Sequence, residues 1–266
     1  MTELQKRVLV SVIFAPLLLV ALWLGGWYLV GMFAAVSGLG WMEYLGMMRE
    51  KNHRIAWVWL VIGLAVYASL LLWRDMDLVI MWIAFLALVL DALFSWNADQ
   101  SLPRIFAISF GLIYVSALPA MMARIGLDYI DKPILLVLII TIWVVDTMAY
   151  FVGMSLGKHR NLTQVSPRKS LEGFIAGALA PIPVVVIIYY WMPGLLPPHI
   201  LALIAVSTGI FGQMGDLAES MLKRYSGVKD SSSLIPGHGG ILDRTDSILL
   251  AGSFLYIALK VFEKVR

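Results

Sequence analysis

The sequence predicts an all-α, polytopic integral membrane protein with about nine transmembrane helices. Two observations carry that prediction. Hydrophobic residues make up 61% of the 266 positions and charged residues only 14%, whereas a soluble domain carries about 45–50% and about 25%. Mean hydropathy is +0.86, and apolar runs of about 20 residues, enough helix to cross about 30 Å of hydrocarbon, recur along the chain.

The first run, about 8–24, follows Lys6 and Arg7 and could mimic a secretory leader. It is long for such a leader and ends in Gly25-Gly26-Trp27 without a small-x-small cleavage site, so it reads as an uncleaved span. Further spans fall at about 28–47, 55–73, 78–95, 105–123 and 133–153. The seventh, about 171–191, is entered through Pro167 and left through the uncharged turn Pro193-Gly194-Leu195-Leu196-Pro197-Pro198. The eighth, about 199–219, has the least distinct end, because Leu217, Met221 and Leu222 continue its periodicity, and the ninth covers about 246–263. With no internal repeat and no low-complexity linker, residues 1–266 read as a single membrane domain.

The chain has no cysteine, which excludes disulfides, thiolate metal sites and a cysteine nucleophile. The net charge of +3 is spread between apolar blocks, so nothing favours nucleic acid, and anionic headgroups and anionic substrates are the natural partners. Orientation follows from Lys and Arg, which cytoplasmic loops retain. With the N-terminus inside, the inner segments hold Lys6, Arg7, Arg49, Lys51, Arg54, Arg104, Lys158, Arg160, Arg168, Lys169, Lys223, Arg224, Lys229 and Arg244, fourteen of the twenty. Arg74, Arg124 and Lys132 fall outside, as do Lys260, Lys264 and Arg266 of the tail, which opposes the vote; an even number of spans stays open. The loops at about 154–170 and 220–245 then both face the cytoplasm and hold most polar residues of the C-terminal half.

Asp216, Glu219, Ser220 and Lys223 recur at i, i+3, i+4 and i+7, on one face of a helix leaving the membrane. Such a stripe cannot face lipid. It is either an internal salt-bridge stripe or part of a site, and ionisable groups in spans are usually functional. Lys223-Arg224, Lys229-Asp230, three serines and Pro236-Gly237-His238-Gly239-Gly240 follow. The glycines around His238 let backbone N–H groups approach an anion, and a helix starting just after them adds its dipole. Asp243 and Asp246 share a face at the start of the last span; either could cap that helix, but capping needs only one. With Asp216 they could supply hard oxygen ligands to Mg²⁺, with room for two ions serving an in-line phosphoryl or nucleotidyl displacement.

The run Ser166-Pro167-Arg168-Lys169-Ser170-Leu171-Glu172-Gly173 adds two cations. Glu172, three residues after Lys169, is expected to orient that lysine toward a phosphate. Asp146, Tyr150 and Gly153 form a further stripe, where a packing or supporting role is as reasonable as a catalytic one. Glu43 and Asp91 have no neighbouring motif and read as structural; His53, His159 and His199 have no ligand spacing and receive no role.

Together these residues resemble a known signature. Ser220-Met221-Leu222-Lys223-Arg224, Lys229-Asp230 and Pro236-Gly237-His238-Gly239-Gly240-Ile241-Leu242-Asp243-Arg244-Thr245-Asp246 span 27 positions and look like the motif of the phosphatidate cytidylyltransferase, or CDP-diacylglycerol synthase, family. Asp146, Tyr150, Gly153 and the run from Ser166 to Gly173 are also similar, although members more often carry lysine and threonine where Arg168 and Ser170 stand. The first 130 residues match only in being apolar spans. The resemblance implies an Mg²⁺-dependent enzyme of a bacterial inner membrane, its active site toward the cytoplasm, that transfers the cytidylyl group of CTP to phosphatidic acid and releases pyrophosphate. Residues 1–130 would be scaffold and lipid access, and 131–266 the catalytic spans and loops.

On that reading Asp216 and Asp243 hold the metal, with Asp246 as a further ligand or just behind. Lys223, Arg224, Lys229 and Arg244 neutralise the triphosphate, and Arg168 and Lys169 hold the lipid phosphate. Ser166, Asp230, His238, Gly239, Gly240, Asp146 and Glu172 line the substrate site. Membrane lipids are partners, nucleic acid is not, and there is room for a homodimer. A transporter, a lipid kinase or a CDP-alcohol phosphotransferase are the rival readings; the charges cluster at one face and no paired helix break marks two halves, which disfavours the first.

Overall fold

The computed structural model describes residues 16, 18–51, 53, 55–235, 237 and 239–265. The helices are α1 (Gly26–Glu50), α2 (Val58–Leu72), α3 (Asp77–Phe94), α4 (Ser101–Asp128), α5 (Ile134–Ser155), α6 (Leu171–Trp191), α7 (Pro198–Ser226) and α8 (Leu242–Val265). Among the described residues there is no strand, only three isolated bridges in loops. Residues 18–24 are helical as well, and most of the expected first span lies outside the described residues.

Six helices, α1 and α3 to α7, are long and apolar enough to cross a membrane. The expected count of nine is not reached by that measure. α2 has only 15 residues, and α8 carries Asp243, Arg244, Asp246, Lys260, Glu263 and Lys264 toward its ends. The interior of α8 is nonetheless the centre of the bundle: Leu249, Ala251 and Leu255 are fully buried, and the helix packs on α4, α5 and α7. At about 1.5 Å per residue its 24 residues run about 36 Å, so its two ends lie on opposite faces of the bundle.

Three helices depart from a regular ladder. Pro181 has no N–H to donate, and α6 is divided there into Leu171–Leu179 and Pro181–Trp191. α4 and α7 each contain a π-helical stretch, Leu112–Ala117 and Ser207–Gly212, a feature frequent near functional sites. α7 also extends seven residues past the expected boundary at 219. It ends where Gly227 takes φ 77°, a left-handed conformation that costs glycine little. The N–H of Gly227 donates to the Arg224 carbonyl and that of Val228 to the Lys223 carbonyl, satisfying the last turn.

The end of the bundle at the C-terminus of α8 is closed by ion pairs. Arg124 donates to both carboxylate oxygens of Asp77, at 2.7 and 2.6 Å, and through Nε to the Leu70 carbonyl at 2.9 Å, tying α4 to α2 and α3. Arg74 pairs with Asp128, and Lys260 with Asp128 at 2.9 Å and Glu263 at 3.2 Å. Lys260 and Arg124, two of the cations that opposed the orientation vote, are thus held by carboxylates.

Candidate active site

The other end gathers the acids and bases of α7, α8 and two loops. Gly215 of α7 lies so close to the backbone of Asp246 and Ser247 on α8 that a Cβ there would collide with the Asp246 carbonyl. This contact brings Asp216 beside Asp246. Asp146 of α5 lies within electrostatic reach of Asp216 and Lys169, and Asp246 within reach of Asp216 and Asp146. Three carboxylates from three helices therefore face a common region.

Two lysines enter it. Lys169 pairs with Asp216, whose other oxygen accepts from the Ser220 hydroxyl at 3.4 Å. Lys223 bridges Glu219 and Asp243, donating to Asp243 Oδ1 at 2.6 Å. Glu219, four residues before Lys223 on the same face, is fully buried. The stripe read from the sequence forms ion pairs and lines the candidate site.

Asp243 organises the glycine-rich connection before α8. Its Oδ2 accepts from the Ser231 N–H at 2.8 Å, the Ser231 hydroxyl at 2.8 Å and the Gly240 N–H at 2.9 Å. Beside it lies a residue that sequence reasoning set aside. Glu43, buried on α1, accepts from the hydroxyls of Ser231 (2.9 Å) and Ser232 (2.7 Å) and from the N–H groups of Ile241 (2.8 Å) and Leu242 (3.0 Å). An anion at the start of α8 meets its unpaired N–H groups and its dipole. Gly240 stands between the two carboxylates where a Cβ would overlap the Ser231 hydroxyl and Glu43, so the turn needs glycine. A lone acid inside an apolar run was the one available signal for Glu43, since its partners lie almost 200 positions away.

The expected pairing of Glu172 with Lys169 is corrected. Glu172 accepts from the His159 backbone N–H at 3.1 Å and pairs with its Nδ1 at 2.6 Å. The reason is local: α6 starts at Leu171, and Ser170 caps it by accepting from the Gly173 N–H at 3.1 Å with φ −110° and ψ 155°. Lys169 precedes the cap, so helical i, i+3 spacing does not apply, and it turns to α7 instead. His159 and His53, given no role, both have partners; buried His53 meets the Tyr225 hydroxyl at 2.6 Å and stacks on its ring.

The remaining expected residues sit around this centre. Ser166 closes a tight turn, its N–H donating to the Thr163 carbonyl at 3.2 Å and its carbonyl accepting from Lys169 N–H at 3.1 Å. Arg224 donates to the Val165 carbonyl at 3.4 Å, joining α7 to that loop. Arg168, Lys229 and Asp230 are exposed on the connections and Arg244 is exposed in the first turn of α8; Gly239 takes φ 82° in the turn, and His238 lies outside the described residues. Among the described residues no group of three or more carboxylates or imidazoles is close enough to hold a metal by itself. The donor set does suit a hard cation that shares its shell with substrate, because Mg²⁺ commonly takes one or two carboxylates and completes its shell with water and phosphate.

The sequence as a whole matches the cytidylyltransferase family over residues 5–262. It belongs to that family. A phosphatidate cytidylyltransferase of Thermotoga maritima is 32% identical over 278 residues, covering 100% of this chain and 99% of the relative. The phosphatidate cytidylyltransferase of Bacillus subtilis is 48% identical over 124 residues, 46% of each chain. That of Staphylococcus haemolyticus is 42% identical over 134 residues, 50% of each. This cytidylyltransferase-family chain is therefore an integral membrane protein whose acid and base cluster lies at one end of its helical bundle.

Proposed function

We propose that this protein transfers the cytidylyl group of CTP to phosphatidic acid, forming CDP-diacylglycerol and pyrophosphate for phospholipid biosynthesis. The observation that carries the reading is the meeting of Asp216 and Asp246 from separate helices, with Lys169 and Lys223 beside them. The full-length likeness to a protein named for this reaction supports it. A phosphate oxygen of the lipid attacks the α-phosphorus of CTP in line. The bond from that phosphorus to the oxygen bridging to the β-phosphate breaks, and pyrophosphate departs with the electron pair. The attacking oxygen is already ionised near neutral pH, so no side chain needs to remove a proton, and catalysis rests on positioning and charge.

Asp216 and Asp246 are the residues that would hold Mg²⁺. When bound, the ion neutralises the triphosphate and the departing pyrophosphate. Asp243, also expected among the ligands, already accepts from four protein donors, and we assign it to holding Lys223 and the glycine-rich turn in place. Lys223 and the exposed Arg224, Lys229 and Arg244 serve the triphosphate. Lys169 and Arg168 serve the lipid phosphate, and the acyl chains stay in the bilayer because moving them to water costs about 0.8 kcal/mol per CH₂. The distribution of Lys and Arg supports a site that faces the cytoplasm from the inner membrane.

The test is chemical. Purified protein is incubated with Mg²⁺, phosphatidate and CTP labelled at the α-phosphate. Label in the lipid fraction with equimolar pyrophosphate in the aqueous phase supports the reading; label passing to lipid from a parallel sample of CTP labelled at the γ-phosphate, or solute uptake into vesicles without chemical change, supports a kinase or a transporter instead.

A further inference from the structure

At the site end of the bundle, α1, α4 and α7 enclose a cavity of about 390 Å³. Tyr44 and Leu222 are its buried floor, and Phe106, Met221 and Tyr225 are its rim, 70%, 50% and 46% exposed. At about 100° per residue, Met221 and Tyr225 lie on nearly the opposite side of α7 from Asp216 and Lys223, so this cavity is separate from the candidate active site. Its α1 wall, Tyr44 and Met48, continues at helical spacing to Lys51 just past the helix end. The Lys51 ammonium lies 5.2 Å from the centroid of the Tyr225 ring, at the mouth of the cavity.

We propose that this groove binds one acyl chain of an anionic glycerophospholipid from the bilayer, with the lipid phosphate at Lys51. The lining is apolar and aromatic, which suits hydrocarbon and rejects a polar ligand. The rim is made by the first turns of α4 and the last turns of α7, and tyrosine is favoured where spans meet the membrane–water interface. The end of α1 carries Arg49 and Lys51 against the single acid Glu50, and Lys51 stands at the mouth, so the mouth selects a negative headgroup over a neutral one. Leu222 and Tyr225 share the last turns of α7 with Lys223, so an occupied groove braces the helix that carries the site.

The experiment is native mass spectrometry of the whole detergent-released protein, titrated with dioleoyl phosphatidylglycerol or dioleoyl phosphatidylcholine. Neither lipid is a phosphomonoester, so the outcome is independent of the proposed reaction. One phosphatidylglycerol should bind where phosphatidylcholine does not. Lys51→Gln, at an exposed position, should weaken it about fivefold, and Ala107→Phe, which fills the groove, should remove it. Equal binding of the two lipids to the wild-type protein, or wild-type affinity for phosphatidylglycerol in both variants, would overturn the proposal.

Discussion

The two ends of the bundle use the same residue types in opposite ways. At the C-terminal end of α8, Arg74, Arg124 and Lys260 each meet a carboxylate, Arg124 with both oxygens of Asp77; the Arg124 and Lys260 pairs join one helix to another, and Arg74 ties the α2–α3 turn to α4. At the N-terminal end of α8, Asp216, Asp246 and Asp146 face one another, with Lys169 and Lys223 at their edges. Matched pairs stabilise packing and ask for nothing further. Carboxylates crowded together repel, and that arrangement persists in a fold when a cation or a positively charged complex completes it.

The contrast breaks most directly at Asp216. Asp216→Asn should lower CTP-dependent pyrophosphate release by about 100-fold or more while the protein still purifies as a folded membrane protein; wild-type turnover would show that the crowded acids are only packing. Glu43→Ala should act through the fold, because the Ser232 hydroxyl and two N–H groups lose their acceptor while the Ser231 hydroxyl keeps only Asp243. A loss of about 3 kcal/mol in thermal or denaturant unfolding is expected. Lys169→Ala should raise the apparent KM for phosphatidate about tenfold and that for CTP less, the effect of one charge-assisted contact; the reverse ranking would exchange the two subsites. Arg124→Gln, at the other end, should cost about 1–2 kcal/mol in unfolding and leave kcat unchanged. A drop in kcat comparable with that of Asp216→Asn would remove the distinction between the ends.

The apolar runs made most helices legible, because lipid imposes both length and composition on a span. The boundary at the end of α7 was not, since Met221 and Leu222 continue the periodicity of the helix while the polar Lys223 and Arg224 look like the start of a loop. The gathering of Asp216, Lys223, Asp243 and Asp246 at one end of the bundle could be read from local spacing, because each lies within a few residues of another charged partner. Glu43 could not be placed that way: its donors come from the far end of the chain. Glu172 misled for a different reason, as the Ser170 cap puts Lys169 outside the helix on which their spacing would have counted. Lys260, one of the opposing charges of the C-terminal tail, makes sense only once it is seen against Asp128 and Glu263.

The most direct measurement is Mn²⁺ binding, as a paramagnetic stand-in for Mg²⁺, to the purified protein with CTP present, followed by electron paramagnetic resonance. Wild-type protein should hold Mn²⁺ in a complex that broadens when CTP is added, and Asp216→Asn with Asp246→Asn should abolish it. A doubly substituted protein that binds Mn²⁺ and CTP as the wild type does would contradict a nucleotide and cation meeting at these two carboxylates.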